Sequence, residues 1–292
     1  MPRLDEIFTG FELGRLEQGF SKTYGMLQRR FPSLLHSTAD IVEPVIEFYR
    51  RRPPDIQAQL SPGDLAFLEA YIAAIQPNTV IEVGVASGFS SAFILSSMSR
   101  WSTGPTHKVI SFETSDVVFW NDQLATGFVV EQLPDAQRVN WDFRLGKTLL
   151  DLQEDLGNIK GSILALVDGE HCHPCPLIDV LVLINALPPE SWILLQDIRL
   201  SERLIGDALR LNSDPMPGLM GPGLVYDYWS GEKVRGMDAT FNMCAVQIPE
   251  NTAHLRGNLF KTLAYPAEID LSGEEEAFLE RQVKKCDLSS KY

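Results

Sequence analysis

The chain has 292 residues, 39 acidic against 25 basic side chains, a formal net charge of −14, 45% apolar residues and four cysteines. That length supports a sizeable core without disulfide or metal staples, and the ordinary apolar fraction excludes a disordered chain. The acidic excess excludes partners whose affinity rests on neutralising phosphates, so neither nucleic acid nor an anionic membrane surface is expected.

The charge is uneven. Residues 1–60 hold eight Lys/Arg and eight Asp/Glu, so 61–292 carry the whole −14. The opening Met1-Pro2-Arg3-Leu4-Asp5-Glu6 lacks the apolar run of a secretory leader, no stretch offers the roughly 18 apolar residues of a membrane helix, and Cys172, Cys175, Cys244 and Cys286 lack a secreted disulfide spacing. A cytoplasmic, reduced protein is the expectation.

In chain order, Phe8, Leu13, Leu16, Phe20 and Tyr24 recur at helical spacing, and Ile41, Val45, Ile46 and Tyr49 form a second stripe before the breaker Arg51-Arg52-Pro53-Pro54. Residues 1–60 therefore read as an N-terminal helical cap and candidate oligomerisation region, in which Phe20, Tyr24 and Arg29 would touch substrate or pack a dimer. Ser61 as N-cap, Pro62 at the first helical position and Asp64 in the first turn start a helix that runs to about Ile75. From there 61–292 reads as one domain. Apolar runs at 79–83, 108–112, 139–144, 162–167 and 191–195, with helix-like stretches between them, predict parallel strands covered on both faces. Two further strands are predicted at 224–229 and 242–248, as a hairpin around Ser230-Gly231-Glu232-Lys233, and 274–285 as a terminal helix. The fold class is α/β: a Rossmann-like, doubly wound, mostly parallel seven-stranded sheet with an N-terminal helical cap.

The first strand ends in Glu82-Val83-Gly84-Val85-Ala86-Ser87-Gly88-Phe89-Ser90, a small-residue turn that lets the backbone approach a ligand and opens a helix whose N–H groups are free. The next strand ends in Glu113, where a carboxylate can hold the two hydroxyls of a ribose. This pattern departs from the dinucleotide form G-x-G-x-x-G and resembles the first motif of class I S-adenosylmethionine-dependent methyltransferases, E/D-x-G-x-x-x-G. The resemblance implies S-adenosyl-L-methionine as cofactor, Glu82 near the methionine amino group, Gly84, Ser87, Gly88 and Ser90 in the turn beneath it, and Glu113 on the ribose. Gly146-Lys147-Thr148 resembles the segment beside the adenine.

The fourth and fifth strands end in Asp168-Gly169-Glu170-His171 and Gln196-Asp197. Two carboxylates, an imidazole and an amide at one sheet edge suit an oxygen-rich cation site, with Asp168, Asp197 and Gln196 as candidate Mg2+ ligands. D-G-x-H with x-D resembles the metal-dependent O-methyltransferases of natural products, the macrocin and mycinamicin sugar enzymes and the cephalosporin-hydroxylase-like group. That resemblance covers about 80–198 and implies an O-methyltransferase acting on a small natural product or its sugar, with Asp168 also touching cofactor. His171 is the first candidate for the base, because imidazole accepts a proton near neutral pH, and Glu170 the second. Gln196 stands where that group commonly has an acid, which leaves open a metal-free enzyme or a scaffold without turnover. A NAD(P)- or nucleotide-sugar-dependent Rossmann enzyme is the enzymatic alternative. Cys172 and Cys175 lack a second ligand pair for zinc. The segment 229–233 would cover the acceptor pocket or form a plain turn, and 212–223 would be a lid or a surface connection.

Overall fold

The computed structural model describes residues 10–54, 56–57, 59–101, 107–154, 159, 161–200, 219–236 and 241–289. Three helices come first, α1 (Gly10–Arg30), α2 (Thr38–Arg50) and α3 (Pro62–Ile75). Next come β1 (Thr79–Val83), α4 (Phe89–Trp101), β2 (Lys108–Glu113), a small hairpin of β3 (Val117–Val118) and β4 (Asn121–Ala125), a single turn α5 (Asp135–Arg138) and β5 (Trp141–Leu145). The rest comprises β6 (Ile163–Val167), α6 (Cys175–Ala186), β7 (Trp192–Leu195), α7 (Gly221–Tyr228), β8 (Lys233–Arg235), β9 (Cys244–Gln247), α8 (Ala253–Leu259) and α9 (Gly273–Ser289).

Seven strands form one sheet in the order β5-β2-β1-β6-β7-β9-β8. β5, β2, β1, β6 and β7 pair in parallel, while β9 runs against both β7 and β8. The inner strands β1, β2, β6, β7 and β9 are largely apolar because both faces are covered, and their successive side chains alternate between two cores, while the edge strands β5 and β8 are only partly buried. Val80, Val109, Leu164, Leu166 and Leu194 face the core shared with Phe20, Tyr24, Leu27, Ile41, Val45 and the apolar positions of α3 and α4. Ile81, Ile110, Ala165, Val167, Ile193 and Leu195 face the opposite core with α6, Val225, Leu255 and Phe278.

The N-terminal helices thus cover one face of the sheet. Phe20 and Tyr24 are buried, and Tyr24 Oη donates to the carbonyl of His36 at 2.7 Å. They therefore do not reach a substrate or an outer surface. Ser61 caps α3 as expected: its hydroxyl accepts from Asp64 N–H at 3.2 Å and donates to Asp64 Oδ2 at 2.6 Å. Because Asp64 is buried, Ser61→Ala removes a cap and a partner of a buried carboxyl together, and should cost about 1–3 kcal/mol in urea unfolding.

Three expectations fail. Residues 224–229 lie mainly in α7, whose Pro222 sits in the first helical turn; the alternation in Leu-Val-Tyr-Asp-Tyr-Trp imitates a strand, but the helix buries Leu224 and Val225 on one side. The hairpin consequently uses β8 and β9, with 230–232 before it and Lys233 opening β8, instead of 230–233 at its turn. Between β2 and β5 the chain makes the β3–β4 hairpin and short turns instead of a long helix, and the β5–β6 connection contains a 3-10 helix (Leu149–Glu154) that buries Leu149 and Leu152. Trp229 is buried in the second core and donates to the carbonyl of Gln247 at 3.2 Å, so it does not cover a pocket. The segment 212–218 lies outside the described residues. Among the described residues no helix is long and apolar enough to cross a membrane.

Candidate active site

In a parallel sheet every strand delivers its exit to one edge, and here the exits of β1, β2, β5, β6 and β7 border one cavity of ≈ 870 Å³. Its wall includes Gly84, Ser87, Ser90, Glu113, Lys147, Thr148, Asp168, Glu170, His171, Gln196 and Asp197, which are the residues singled out from the sequence except Glu82 and Gly88. It also includes Phe89, which lies within the glycine-turn motif but was given no role, and Gln59, Leu60, Phe119 and Asp179, which carry no sequence motif and were missed.

The turn after β1 can form only with small residues. Gly84 has φ +87 and Gly88 φ +80, and a Cβ on Gly84 would meet the carbonyl oxygen of Asp168 at 2.2 Å. Gly88 lies against Gly127 Cα, 2.8 Å from where its own Cβ would stand. Gly127 N–H donates to Ala86 O (2.9 Å) and Val129 N–H to Ser87 O (3.0 Å), so the segment leaving the β3–β4 hairpin braces the turn. Ser87 Oγ accepts from Phe89 N–H at 3.3 Å at the start of α4.

Glu113 acts as a strut within this turn. Its Oε2 accepts from Val85 N–H (3.1 Å) and Ala86 N–H (3.2 Å), and its Oε1 from Thr114 N–H (2.8 Å) and Ser115 N–H (3.0 Å). Glu82 lies fully buried beneath the turn, off the cavity wall. Burial raises its carboxyl above the usual range, and the hydroxyls of Ser111 (2.5 Å) and Ser91 (2.6 Å) partly offset this. Lys147 Nζ lies 3.1 Å from Asp151 Oδ1, and Thr148 N–H donates to Asp151 Oδ2 at 2.9 Å, so both close the β5 exit.

At the exits of β6 and β7, one ligand atom each of Asp168, His171 and Asp197 lies within 4.8 Å of the others. His171 Nε2 is 3.3 Å from Asp197 Oδ2 and 4.0 Å from Asp168 Oδ1. Burial pushes Asp168 well above the usual carboxylate range, and the charges of Asp197, Glu82 and Asp64 add to the rise. Gln196 is buried, its Nε2 donates to Asp197 Oδ1 at 3.3 Å, and its Oε1 is buried without a hydrogen-bond partner. Two mutually repelling carboxyls beside an orphaned amide oxygen fit a hard divalent cation, which would relieve both defects. Glu170 is less suited to proton transfer. Burial raises it, but the Cys172 N–H bond at 2.9 Å and the charge of His171 outweigh that and hold it below its ordinary value. The thiols of Cys172 and Cys175 are free and pushed up to about 11 and about 12, chiefly by burial, which keeps them protonated.

Residues 81–198 match a family model described as a methyltransferase domain. Similar solved structures include cofactor-bound Rv0187 from MTB, 14% identical over 73% of this chain and 89% of that one with a TM-score of 0.48. The O-methyltransferase TomG from Streptomyces achromogenes, in complex with SAM, is 15% identical over 76% of this chain and 96% of its own, TM-score 0.45. An O-methyltransferase from Bacillus cereus, in complex with SAH, is 14% identical over 76% and 97%, TM-score 0.44. No curated protein matches the chain. The family match begins inside β1 and ends just past β7, across every strand exit that borders the cavity, so residues 81–198 are similar to a methyltransferase domain.

Proposed function

We propose that the chain methylates a hydroxyl of a small natural product or its sugar, with His171 as the base and a divalent cation held by Asp168, Asp197 and the Gln196 carbonyl. The observation that carries the choice of cofactor is Glu113. Consecutive N–H groups in a glycine turn form a concavity that binds anions, and dinucleotide enzymes place a pyrophosphate in such a turn. Here Val85 and Ala86 already donate to the chain's own carboxylate. A pyrophosphate would meet a negative charge there, whereas a sulfonium cofactor without phosphate meets none of that repulsion.

S-adenosylmethionine supplies a methyl group on a sulfonium, and transfer leaves a neutral thioether. The chain's own work is to hold the acceptor in line and remove its proton. His171 Nε2 would accept the proton of the acceptor hydroxyl, and Asp197 Oδ2 at 3.3 Å would stabilise the imidazolium that forms. The acidic wall favours a neutral or cationic acceptor over a polyanion.

Calorimetry tests the cofactor first. S-adenosylhomocysteine should bind the wild type and NAD should not, and Glu113→Ala should weaken the thioether about 10- to 100-fold by releasing the turn; binding of NAD alone would overturn the reading. For the catalytic step, His171→Ala should lower kcat about 10²- to 10⁴-fold with the affinity for S-adenosylhomocysteine unchanged. Chelation should lower the wild-type rate and added Mg2+ restore it; a rate indifferent to chelator would remove the metal and leave His171 acting alone.

A further inference from the structure

Asp197 is a non-glycine residue with φ +59, a left-handed conformation that needs outside support. The support comes from Asn242, a buried residue just ahead of β9. Its side-chain Nδ2 donates to Asp197 Oδ1, its Oδ1 accepts from Arg199 N–H at 2.8 Å, and its backbone carbonyl accepts from Ile198 N–H at 3.2 Å. Three of its four polar groups are therefore spent on residues 197–199. The fourth, its own N–H, donates at 2.7 Å to Asp64 Oδ1, a carboxyl buried in the first turn of α3 that Ser61 holds from the other side.

We infer that Asn242, anchored by Asp64, is a positioning residue that selects which oxygen of Asp197 enters the reactive cluster. With Oδ1 engaged by Asn242 and Gln196, Oδ2 is the atom turned to His171. A carboxylate on an unsupported left-handed corner could rotate, and the ligand set for a cation would lose its geometry. Outer partners of metal ligands typically change metal affinity 10- to 100-fold when removed. The relay spans 178 residues of sequence between Asp64 and Asn242, and it makes α3, outside the matched domain, part of the catalytic support.

The inference rests on the function proposed above, and the experiment separates the two. Asn242→Leu keeps the volume and loses both side-chain hydrogen bonds; Asn242→Ser keeps a hydroxyl but is too short to reach Asp197, and serves if the leucine variant does not fold. Manganese(II) binding to the whole chain is measured by calorimetry, S-adenosylhomocysteine binding in parallel, and the variant's crystal structure is determined. The expected result is at least a tenfold loss of Mn2+ affinity, thioether affinity unchanged within twofold, and Asp197 Oδ2 displaced from His171. Unchanged Mn2+ affinity, or a variant structure with Asp197 Oδ2 still 3.3 Å from His171 Nε2, overturns the inference. A wild type that binds neither Mn2+ nor the thioether would overturn the proposed function instead, and the displacement of Asp197 in the variant would still decide the role of Asn242.

Discussion

Asp168→Asn should yield a protein that is more stable and nearly inactive. Burial raises the carboxyl of Asp168, and the charges of Asp197, Glu82 and Asp64 add to the rise, with His171 Nε2 at 4.0 Å its nearest basic group among the described residues. The folded state therefore keeps a proton that the unfolded chain has released above about pH 4, so wild-type stability falls as pH rises from about 4 toward neutrality. An amide of the same shape removes that repulsion. With a chelator present, the variant should gain about 1–2 kcal/mol at pH 7, visible as a higher urea midpoint, and its stability should depend less on pH in this range. Methyl transfer should fall at least about 100-fold if Asp168 is the direct ligand proposed above, since a direct ligand is worth more than an outer partner. A variant that is less stable than wild type at pH 7, or one that keeps its rate, would contradict the electrostatic account of the cluster.

Gly84→Ala should be among the most destabilising single changes in the chain. Its Cβ would fall 2.2 Å from the carbonyl oxygen of Asp168 and 2.7 Å from Gly169 Cα, both backbone atoms at the exit of β6, at a φ of +87 that alanine disfavours. Relief requires parting β1 from β6, the two central strands, so strain and overpacking add to about 4 kcal/mol. Gly146→Ala is the internal control. Gly146 has φ +71 but a Cβ there meets nothing within 4 Å, so only strain, about 1 kcal/mol, should be lost. Urea unfolding of the two variants should separate them by about 3 kcal/mol, and Gly84→Ala should also abolish binding of S-adenosylhomocysteine. Equal midpoints would mean that close approach of the strands is not what fixes the glycine.

The parts of this site legible in the sequence are those whose signal is local. Gly84 and Gly88 sit at the end of an apolar run, Asp168 comes directly after another and Asp197 one residue after a third; a window of about ten residues contains each fact. β1, β2, β6 and β7 were readable because burial on both faces leaves little polar residue inside them, whereas β5 is a half-buried edge strand that carries Asp142 and Arg144. Leu224-Val225-Tyr226-Asp227-Tyr228 was misread because five residues cannot separate a period of 2 from one of 3.6, while the helix-start signal of Gly221-Pro222 precedes them. Asp64 looked like an ordinary first-turn acid, and that local reading is correct as far as it goes; its second bond, to Asn242, is a tertiary fact with no trace in either neighbourhood. Glu113 shows the same limit. Its position at the strand exit suggested a ligand contact, whereas four backbone N–H groups on two separate loops make it a structural brace as well.

β9 is the one strand of the seven-stranded sheet that runs backward, and this bears on how the site can change. Five strands bring their ends to the cavity edge, so altering the loops that leave them alters the residues that meet the ligand. β9 brings its beginning there, and the segment that leads into it is the connection from β8 at the far margin of the sheet. Lengthening or stiffening that connection would change no cavity-lining residue and yet shift Asn242 along the strand axis, moving the Asp197 carboxylate by way of its oxygen. If Asn242 positions Asp197 as proposed, the reversed strand is an adjusting screw reached from behind, and variation at a sheet margin remote from the ligand should tune affinity at the proposed cation site without altering the proposed cofactor's seat.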